Sequence, residues 1–296
     1  MSIPGEKVTI YSVPSRPARA NGHIGALLVD SGKITKEDAD RVMSLQREKG
    51  MRFGDAAVKL GLVSPMDVEQ ALSRQFDFPY LVPGTSSLSG DLVTAYSPFD
   101  KKVEVFKVVR SQLMLRWFNI DLGSKHLAVV SACRKEGRSY FAANLAIVFS
   151  QLGERTLLID ADLRNPRQHT LFNLQNRAGL STLLSGRAQP DVIEHIVPLV
   201  DLSILPAGPV PPNPQELLGR SLFSKLLSDL AGEYDVIILD TPSGEANADA
   251  QIIAACAGGA FVVARRNHSP ARLVRDFSAQ LRDNGVTLTG AVINAA

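Results

Sequence analysis

The chain has few cysteines, no long apolar run and almost no excess of charge of either sign. Its two cysteines, Cys133 and Cys256, form neither a metal-binding spacing nor a disulfide framework, which fits a reducing cytosol. No run of about 18 apolar residues predicts a membrane-spanning helix, and residues 1–7 do not resemble a secretion signal. A formal net charge of +2 gives no reason to expect nucleic acid as a partner.

Composition divides the 296 residues into four parts, a length that allows two domains. Residues 1–22 contain three prolines and little periodicity, which predicts a flexible arm. Residues 23–81 contain an internal repeat, and residues 82–100, rich in proline, glycine and serine, predict a linker. The fourth part is residues 101–296.

The repeat has an offset of 29 residues, so that His23–Gln46 aligns with Arg52–Gln75. Each copy predicts a short helix, a glycine in the left-handed position that ends it, and a longer helix with a capping box at its start. The terminating glycines are Gly32 and Gly61, and the N-cap residues are Thr35 and Ser64. The repeat therefore predicts a small all-α module.

From residue 101 onward, short apolar runs alternate with helical patterns. Runs of this length, rich in β-branched residues, predict buried parallel strands. The predicted strands lie at about residues 126–131, 155–159, 202–206, 235–239, 260–264 and 288–293. Alternation of strands and helices predicts an α/β fold, with a parallel sheet flanked by helices on both faces.

Residues 131–139 (SACRKEGRS) resemble a phosphate-binding loop, or P-loop, between the first predicted strand and a helix. Such a loop points backbone N–H groups at phosphate oxygens, while a lysine reaches the phosphates and a serine or threonine binds Mg²⁺. Gly137 and Ser139 retain their expected places, but Arg138 replaces the lysine. Lys135 stands where glycine is usual, and a left-handed side chain there costs about 1–2 kcal/mol.

Two predicted strands end in carboxylates. Asp160 and Asp162 follow the run at 155–159, and Asp240 follows the run at 235–239. Ligands of α/β proteins bind at the carboxyl ends of parallel strands. Together with the loop, these groups predict a P-loop NTPase-type site for Mg²⁺ and a nucleoside triphosphate, although capping of the strand ends is the alternative role.

Residues 100–294 resemble the cytoplasmic domain of bacterial tyrosine autokinases (BY-kinases) of the chain-length determinant type, and among these the EpsG-type kinases of exopolysaccharide export. The loop, the Asp-x-Asp-x-Arg box, the strand ending at Asp240 and residues 205–218 carry the resemblance. It implies ATP and Mg²⁺ as cofactors. The implied nucleotide-binding residues are Lys135, Glu136, Gly137, Arg138, Ser139, Tyr140 and Asp240, and the implied Mg²⁺ ligands are Ser139, Asp160 and Asp240.

The same resemblance implies a protein-tyrosine kinase activity and partners. Arg138, Asp160 and Asp162 would be catalytic, with Asp162 as the base for the tyrosine hydroxyl and Arg138 stabilising phosphate charge. Residues 104–110 (EVFKVVR) resemble the family's subunit-contact helix. This implies a homo-oligomeric ring whose interface includes Glu104, Lys107 and Arg110. It also implies a cytoplasmic protein, peripheral at the inner membrane through a chain-length determinant (polysaccharide co-polymerase) partner.

Two departures from the family keep other functions open. The five tyrosines form no cluster, whereas the family has a tyrosine-rich C-terminal tail, so either another protein is the substrate or phosphorylation is vestigial. One alternative is a catalytically weak or inactive scaffold that senses nucleotide or cyclic di-GMP. The other is a positioning ATPase of the MinD or ParA kind, whose additional signature lysine would stand at Cys133.

The repeat in residues 23–81 resembles the MshEN domain of some type II secretion and pilus ATPases, which binds cyclic di-GMP. Its motif opens with Arg-Leu-Gly, and the second copy opens with Arg-Phe-Gly while the first opens with His-Ile-Gly. The resemblance implies a cyclic di-GMP site that includes His23, Gly25, Arg52 and Gly54, with the first half weaker because histidine replaces an arginine. Helix packing alone is the alternative role of these glycines.

Overall fold

The computed structural model describes residues 23–65, 67–68, 71–72, 81, 84, 86–97, 100–118, 123–197, 199, 201–245 and 247–295. The chain forms two compact units, one within residues 15–82 and the other within residues 83–296. The predicted arm over residues 1–22 lies outside the described residues. Among the helices that are described, none has the length and apolarity needed to cross a bilayer.

The small unit follows the helical pattern of the repeat. Its helices are α1 (Ile24–Asp30), α2 (Lys36–Lys49) and α3 (Phe53–Lys59). Gly32 and Gly61, which follow α1 and α3, both have φ of +69°, the left-handed conformation that the repeat predicts. Side chains from all three helices share one core, which includes Leu28, Val42, Ala56 and Ala57.

The predicted capping boxes are also present. Thr35 Oγ1 accepts the Asp38 N–H at 3.1 Å, and Asp38 Oδ2 accepts the Thr35 N–H at 3.2 Å. Ser64 and Asp67 make the same two bonds, at 3.2 Å and 2.9 Å. Because each box satisfies two backbone N–H groups that a helix start leaves unpaired, both copies of the repeat begin their second helix in the same way.

In the described part of the larger unit, seven strands form one sheet in the order β3-β4-β2-β5-β1-β6-β7. The pairs are parallel except for β3 against β4. The strands are β1 (His126–Val130), β2 (Thr156–Asp160), β3 (Glu194–His195), β4 (Leu202–Leu205), β5 (Val236–Asp240), β6 (Gly259–Arg265) and β7 (Thr287–Asn294). The six predicted strands match within about one residue at each end, whereas β3 was missed because it is two exposed residues long.

Helices cover both faces of this sheet, as predicted. Its helices are α4 (Val93–Tyr96), α5 (Lys101–Arg116), α6 (Arg138–Ser150), α7 (Gln168–Leu171), α8 (Leu180–Leu184), α9 (Pro214–Leu218), α10 (Ser221–Leu230), α11 (Asp249–Ala257) and α12 (Ala271–Asp283). Helix α6 contacts β1, β2 and β5. Alternate strand residues such as Ala128, Leu157 and Ile237 share a core with α10, α11 and α12. The α/β class with a P-loop-type parallel sheet is therefore confirmed.

The described part of residues 82–100 is attached to the larger unit through α6. Asn144 Oδ1 accepts the Thr94 N–H at 3.0 Å and the Thr94 hydroxyl at 2.8 Å. Asn144 Nδ2 donates to Asp91 O at 3.0 Å. Both Thr94 and Asn144 are fully buried. Buried hydrogen bonds thus hold this polar segment against the helix that follows the P-loop.

Candidate nucleotide site

A cavity of about 460 Å³ opens at the carboxyl ends of the central strands. The register of β2 and β5 places Asp160 beside Asp240, and the P-loop follows the neighbouring strand β1. The cavity is lined by residues 134–140, Asp162, Arg164, Asn165, Arg167, Pro242, Ser243 and Asn247. The three motifs recognised in the sequence therefore meet at one edge of the sheet.

The P-loop contains two left-handed residues, Lys135 with φ of 60° and Gly137 with φ of 91°. Glycine is favoured at 137 because side chains rarely adopt a φ of 91°, and a Cβ there would in addition displace the Asn294 amide. Lys135 adopts the conformation that its position in the loop predicts, at a cost of about 1–2 kcal/mol. The loop is therefore strained at Lys135, and other contacts must hold it.

Glu136 is 1% exposed and serves the loop itself. Its Oε2 accepts the Cys133 N–H at 2.8 Å, and its Oε1 accepts the Ser269 hydroxyl. Both oxygens of the Glu136 carboxylate are thus occupied by protein donors. The nucleotide contact predicted for residue 136 can therefore be made only by its backbone. Tyr140 lines the cavity, its ring 6.1 Å from that of Phe106, and burial raises the pKa of the tyrosine hydroxyl.

Arg138 joins the three motifs. Its Nη1 donates to Ser131 Oγ at 2.7 Å and its Nη2 to Asp162 Oδ2 at 3.3 Å. Its Nε lies 3.4 Å from Asp240 Oδ1, and the side chain is only 10% exposed. The guanidinium therefore provides a positive charge between two carboxylates that burial would otherwise disfavour.

Asp160 and Asp240 are fully buried and each has one engaged oxygen. Asp160 Oδ2 accepts the N–H groups of Arg167 and Gln168, both at 2.9 Å, and Asp240 Oδ2 accepts Gln168 Nε2 at 2.8 Å. The Oδ1 atoms of both aspartates have no hydrogen-bond partner among the described residues. Two buried carboxylate oxygens at adjacent strand ends thus accept no hydrogen bond, and only that of Asp240 has a cation near it, the Arg138 guanidinium.

Burial sets the electrostatics of this pair. It raises the pKa of Asp160 well above its ordinary value, and the neighbouring Asp240 charge raises it further. Burial also raises the pKa of Asp240, although Arg138 and the Ser139 hydroxyl oppose that shift. Each shift reflects first the cost of burying an ionised carboxylate, which Arg138 offsets only in part for Asp240.

These oxygens fit Mg²⁺. Mg²⁺ is bound through one or two carboxylates together with phosphate oxygens and water, so an all-protein cage is not required. Within the described ranges, no group of three or more His, Cys, Asp or Glu side chains is arranged to hold a metal ion. Asp160, Asp240 and the Ser139 hydroxyl would hold Mg²⁺ here, with the remaining positions left for phosphate and water.

Asp162 lies at the surface of the cavity and is oriented by the chain that follows it. Its Oδ1 accepts the N–H groups of Arg164 and Asn165, at 3.2 Å and 2.9 Å. Its Oδ2 faces Arg138. Asp162 is 4% exposed and, unlike Asp160, it lines the cavity directly.

Sequence reasoning missed Gln168. This fully buried residue donates from Nε2 to Asp240 Oδ2 at 2.8 Å and to Ser139 O at 3.1 Å. It also missed the pairing of Arg164 Nε with Asp249 Oδ2 at 2.7 Å, which fixes the arginine of the acidic box. A lone glutamine carries no signal in one sequence, and only the fold brings residue 249 to residue 164.

The predicted interface residues lie on α5. Lys107 Nζ is 2.7 Å from Glu104 Oε1 on the helix surface, and Arg110 Nη1 donates to Val148 O of α6 at 3.0 Å. Arg110 is therefore turned toward its own chain. Exposed apolar side chains share the outer part of the same helix, namely Val105, Val108 and Leu115, which are 50%, 55% and 78% exposed.

The small unit has a cavity of about 750 Å³. His23 and Gly25 of the first repeat line it, together with Phe53 of the second. Gly25 permits this approach, because a Cβ there would lie 3.1 Å from the Phe53 ring. Arg52 is the exposed N-cap of α3 and Gly54 is buried, and neither belongs to the described lining. The cavity thus includes two of the four predicted cyclic di-GMP residues.

No family model matches the chain. The chain is 34% identical over 209 residues to the tyrosine-protein kinase YwqD of Bacillus subtilis (strain 168). The aligned region covers 71% of this chain and 87% of that protein. The chain belongs to the family of bacterial tyrosine-protein kinases. It is also 34% identical over 191 residues to the putative tyrosine-protein kinase CapB of Staphylococcus aureus, covering 64% of this chain and 83% of that protein.

Solved structures agree with this membership. The kinase domain of Escherichia coli tyrosine kinase ETK has a TM-score of 0.66 and 32% identity, covering 69% of this chain and 80% of that chain. The septum site-determining protein MinD from Pyrococcus horikoshii, complexed with Mg-ADP, has a TM-score of 0.51 at 22% identity and covers 57% of this chain and 69% of that chain. The likeness to MinD concerns the fold alone. The MshEN-like interpretation of residues 23–81 stays a prediction.

Proposed function

We propose that the chain is an ATP-binding protein-tyrosine kinase-like protein of exopolysaccharide synthesis and export. The observation that supports this most is the position of Arg138, which contacts Ser131, Asp162 and Asp240 at one cavity. The relatives named above are tyrosine-protein kinases, and the cavity has the size range of small-molecule sites. Phosphoryl transfer needs positioning and charge stabilisation more than covalent chemistry, and this site offers both.

On this proposal the P-loop N–H groups and Arg138 bind the phosphates. Asp160, Asp240 and the Ser139 hydroxyl would hold Mg²⁺, which would supply positive charge to offset that of the phosphates. Asp160 Oδ1 accepts no hydrogen bond within the described chain, and Asp240 Oδ1 has only the Arg138 Nε near it, at 3.4 Å, so both atoms could contact such a cation if Arg138 moves toward the phosphates. Gln168 donates hydrogen bonds to both Asp240 and the Ser139 carbonyl. It thereby links the end of strand β5 to the start of helix α6.

Asp162 is the proposed base. Its Oδ1 is fixed by two backbone N–H groups, while its Oδ2 contacts Arg138. Movement of Arg138 toward the phosphates would free Oδ2 to accept the proton of an incoming tyrosine hydroxyl. Nucleotide binding and activation of the base are therefore linked through one arginine.

Isothermal calorimetry with Mg·ADP and Mg·ATP tests nucleotide binding. Asp160→Asn keeps the shape of the side chain and removes its charge, so we expect it to weaken Mg²⁺-dependent binding by about tenfold or more. Asp229→Asn, at an exposed carboxylate outside the cavity lining, is the matched control. Absence of binding to the unmodified chain at millimolar nucleotide would refute the proposal.

Transfer from [γ-³²P]ATP, measured with and without the export partner, tests the kinase step.

We also propose that the protein acts beside a membrane chain-length determinant partner and associates as a homo-oligomer through α5. The exposed residues Val105, Val108 and Leu115 support a contact on that helix, because clustered apolar side chains are favoured at interfaces. Cells that lack the partner should lose the protein from their membrane fraction. Retention on membranes in those cells contradicts the partner model, and an unchanged mass of Leu115→Asp contradicts the oligomer model.

The cavity of the small unit favours the sensing alternative as a second function. His23, Gly25 and Phe53 place both repeats beside a space of about 750 Å³, although Arg52 lies outside its lining. Titration of the full chain with cyclic di-GMP should then show binding that His23→Arg tightens and Arg52→Ala weakens. No binding at about 100 µM ligand, which means a binding free energy weaker than about −5.5 kcal/mol, would leave the module a structural one. The positioning ATPase is less favoured, since Cys133 occupies the place of its signature lysine.

A further inference from the structure

Three consecutive backbone carbonyls of the P-loop are held by side chains from distant segments. The carbonyl oxygens of residues 134, 135 and 136 accept hydrogen bonds from His268 Nε2 at 2.9 Å, Arg265 Nη1 at 3.2 Å and Asn294 Nδ2 at 3.3 Å, in that order. None of these three side chains lines the cavity. We refer to Arg265, His268 and Asn294 as the clamp.

A fourth contact joins the same segments. Ser269 Oγ donates to Glu136 Oε1 and accepts the Arg265 N–H at 2.7 Å. Asn294 O accepts the Arg266 N–H at 2.8 Å. The ends of β6 and β7 and the start of the segment before α12 therefore form one hydrogen-bonded support on the outer side of the loop.

The clamp decides where the loop points its N–H groups. In a trans peptide the C=O and N–H bonds point in opposite directions. Carbonyls 134, 135 and 136 drawn outward therefore turn the N–H groups of residues 135, 136 and 137 away from the clamp. Those three N–H groups have no acceptor in the part of the chain that the structure describes. Successive free N–H groups around a left-handed residue form an anion-binding concavity.

The same contacts explain Lys135. Its φ of 60° is unfavourable for a residue with a side chain, and glycine would take it without cost. Arg265 bonds the carbonyl of Lys135 itself, and the flanking carbonyls are bonded by His268 and Asn294. These bonds act on the backbone of the loop at the place where it is strained.

We propose that Arg265, His268 and Asn294 are positioning residues of the nucleotide site. They hold the loop with three N–H groups directed at a phosphate, and they do so in spite of Lys135. The inference rests on the proposed nucleotide binding. It adds that the affinity for a nucleoside diphosphate or triphosphate depends on three side chains near the ends of β6 and β7 that lie outside the cavity lining.

A double-mutant cycle on the full chain tests this, with Mg·ADP affinity measured by calorimetry. Arg265→Ala should weaken binding about tenfold, the equivalent of the strain of one left-handed side chain. In a Lys135→Gly background, the same change should weaken binding by only about twofold to threefold, because the strain of residue 135 is gone and only the orienting part of the clamp's contribution is lost. Any direct contact of the Lys135 amino group with phosphate cancels in this comparison. Arg266→Ala removes the same charge from the adjacent exposed residue and should leave affinity unchanged.

The Mg·ADP affinity of His268→Ala is also measured, both in the unmodified chain and in the Lys135→Gly variant. His268 is exposed, so this variant tests the clamp even if Arg265→Ala fails to fold. Equal losses from Arg265→Ala with and without Lys135, or equal effects of Arg265→Ala and Arg266→Ala, would overturn the clamp. If the unmodified chain binds no Mg·ADP, the proposed function fails first. If it binds and the clamp variants bind equally well, only the clamp fails.

Discussion

Asp160→Asn should stabilise the nucleotide-free protein while it weakens Mg²⁺-dependent nucleotide binding. Asp160 is fully buried, its Oδ1 has no hydrogen-bond partner within the described chain, and Asp240 is its neighbour across the β2–β5 register. Asparagine keeps an oxygen for the Arg167 and Gln168 N–H groups and carries no charge. The strain of a buried carboxylate pair is thus relieved without a change of shape.

Burial, and then the Asp240 charge, raise the pKa of Asp160 well above its ordinary value, so the ionised carboxylate is disfavoured in the fold. A buried polar group left without a partner costs about 1–3 kcal/mol, and Asp160 Oδ1 is such a group within the described chain. We therefore expect a gain in the free energy of unfolding of about 1–3 kcal/mol at pH 8. A group whose folded pKa is raised stabilises the fold at low pH and loses that contribution as pH rises toward the folded pKa. The advantage of asparagine should accordingly grow between pH 5 and pH 8.

Urea unfolding in EDTA, at pH 5 and pH 8, measures this difference for Asp160→Asn and for the exposed control Asp229→Asn. The control should change the free energy of unfolding by no more than about 0.5 kcal/mol at either pH. A variant that is less stable than the unmodified chain at pH 8, or a gain that is the same at both pH values, would refute the reasoning.

Three further changes have defined outcomes. Asn144→Leu should lower the free energy of unfolding by about 2–4 kcal/mol in urea titrations, because it leaves buried polar groups of the segment before α5 unpaired; a loss below 1 kcal/mol, smaller than about one hydrogen bond, contradicts this. Gly137→Ala should abolish Mg·ADP binding with little change in fold by circular dichroism, and normal affinity would show that the left-handed loop is dispensable. Hydrogen bonds from Lys33 and Ser64 lower the pKa of Asp67 to about 2. Asp67→Asn should therefore lower the free energy of unfolding at pH 7 but not after acidification to that pKa. A loss of stability that persists at the lower pH would exclude the charged Lys33–Asp67 pair as its cause.

Much of the fold could be predicted from local pattern. Short β-branched runs located the six parallel strands, and the spacing of Gly32, Thr35 and Asp38 located a helix end and the following capping box. These features depend on residues close together in sequence, where backbone conformation and hydrogen bonding are decided locally. Acidic residues at strand ends indicated the site because parallel strands end at the same edge.

The rest of the site depends on contacts between distant residues. His268 lies 134 residues from the carbonyl it bonds, and Asn294 lies 158 residues from Glu136. No periodicity or motif marks such a pair in one sequence. The loop motif predicts Arg138 as a phosphate ligand, whereas its contacts with Asp162 and Asp240 depend on how separate segments fold over the sheet. The cyclic di-GMP residues were grouped by motif, whereas the cavity lining includes His23 and Gly25 without Arg52.

The burial of the Asp160 and Asp240 carboxylates side by side has a consequence for the lifetime of the protein in the cell. A fold that strains two buried carboxylates is at its weakest when nothing is bound, and a ligand at about one hundred times its dissociation constant adds about 2.7 kcal/mol. Since degradation follows the population of opened chains, copies that lack nucleotide should be removed faster than loaded ones. We expect the half-life of the protein to follow the supply of ATP, so that starvation lowers its abundance before any change in synthesis.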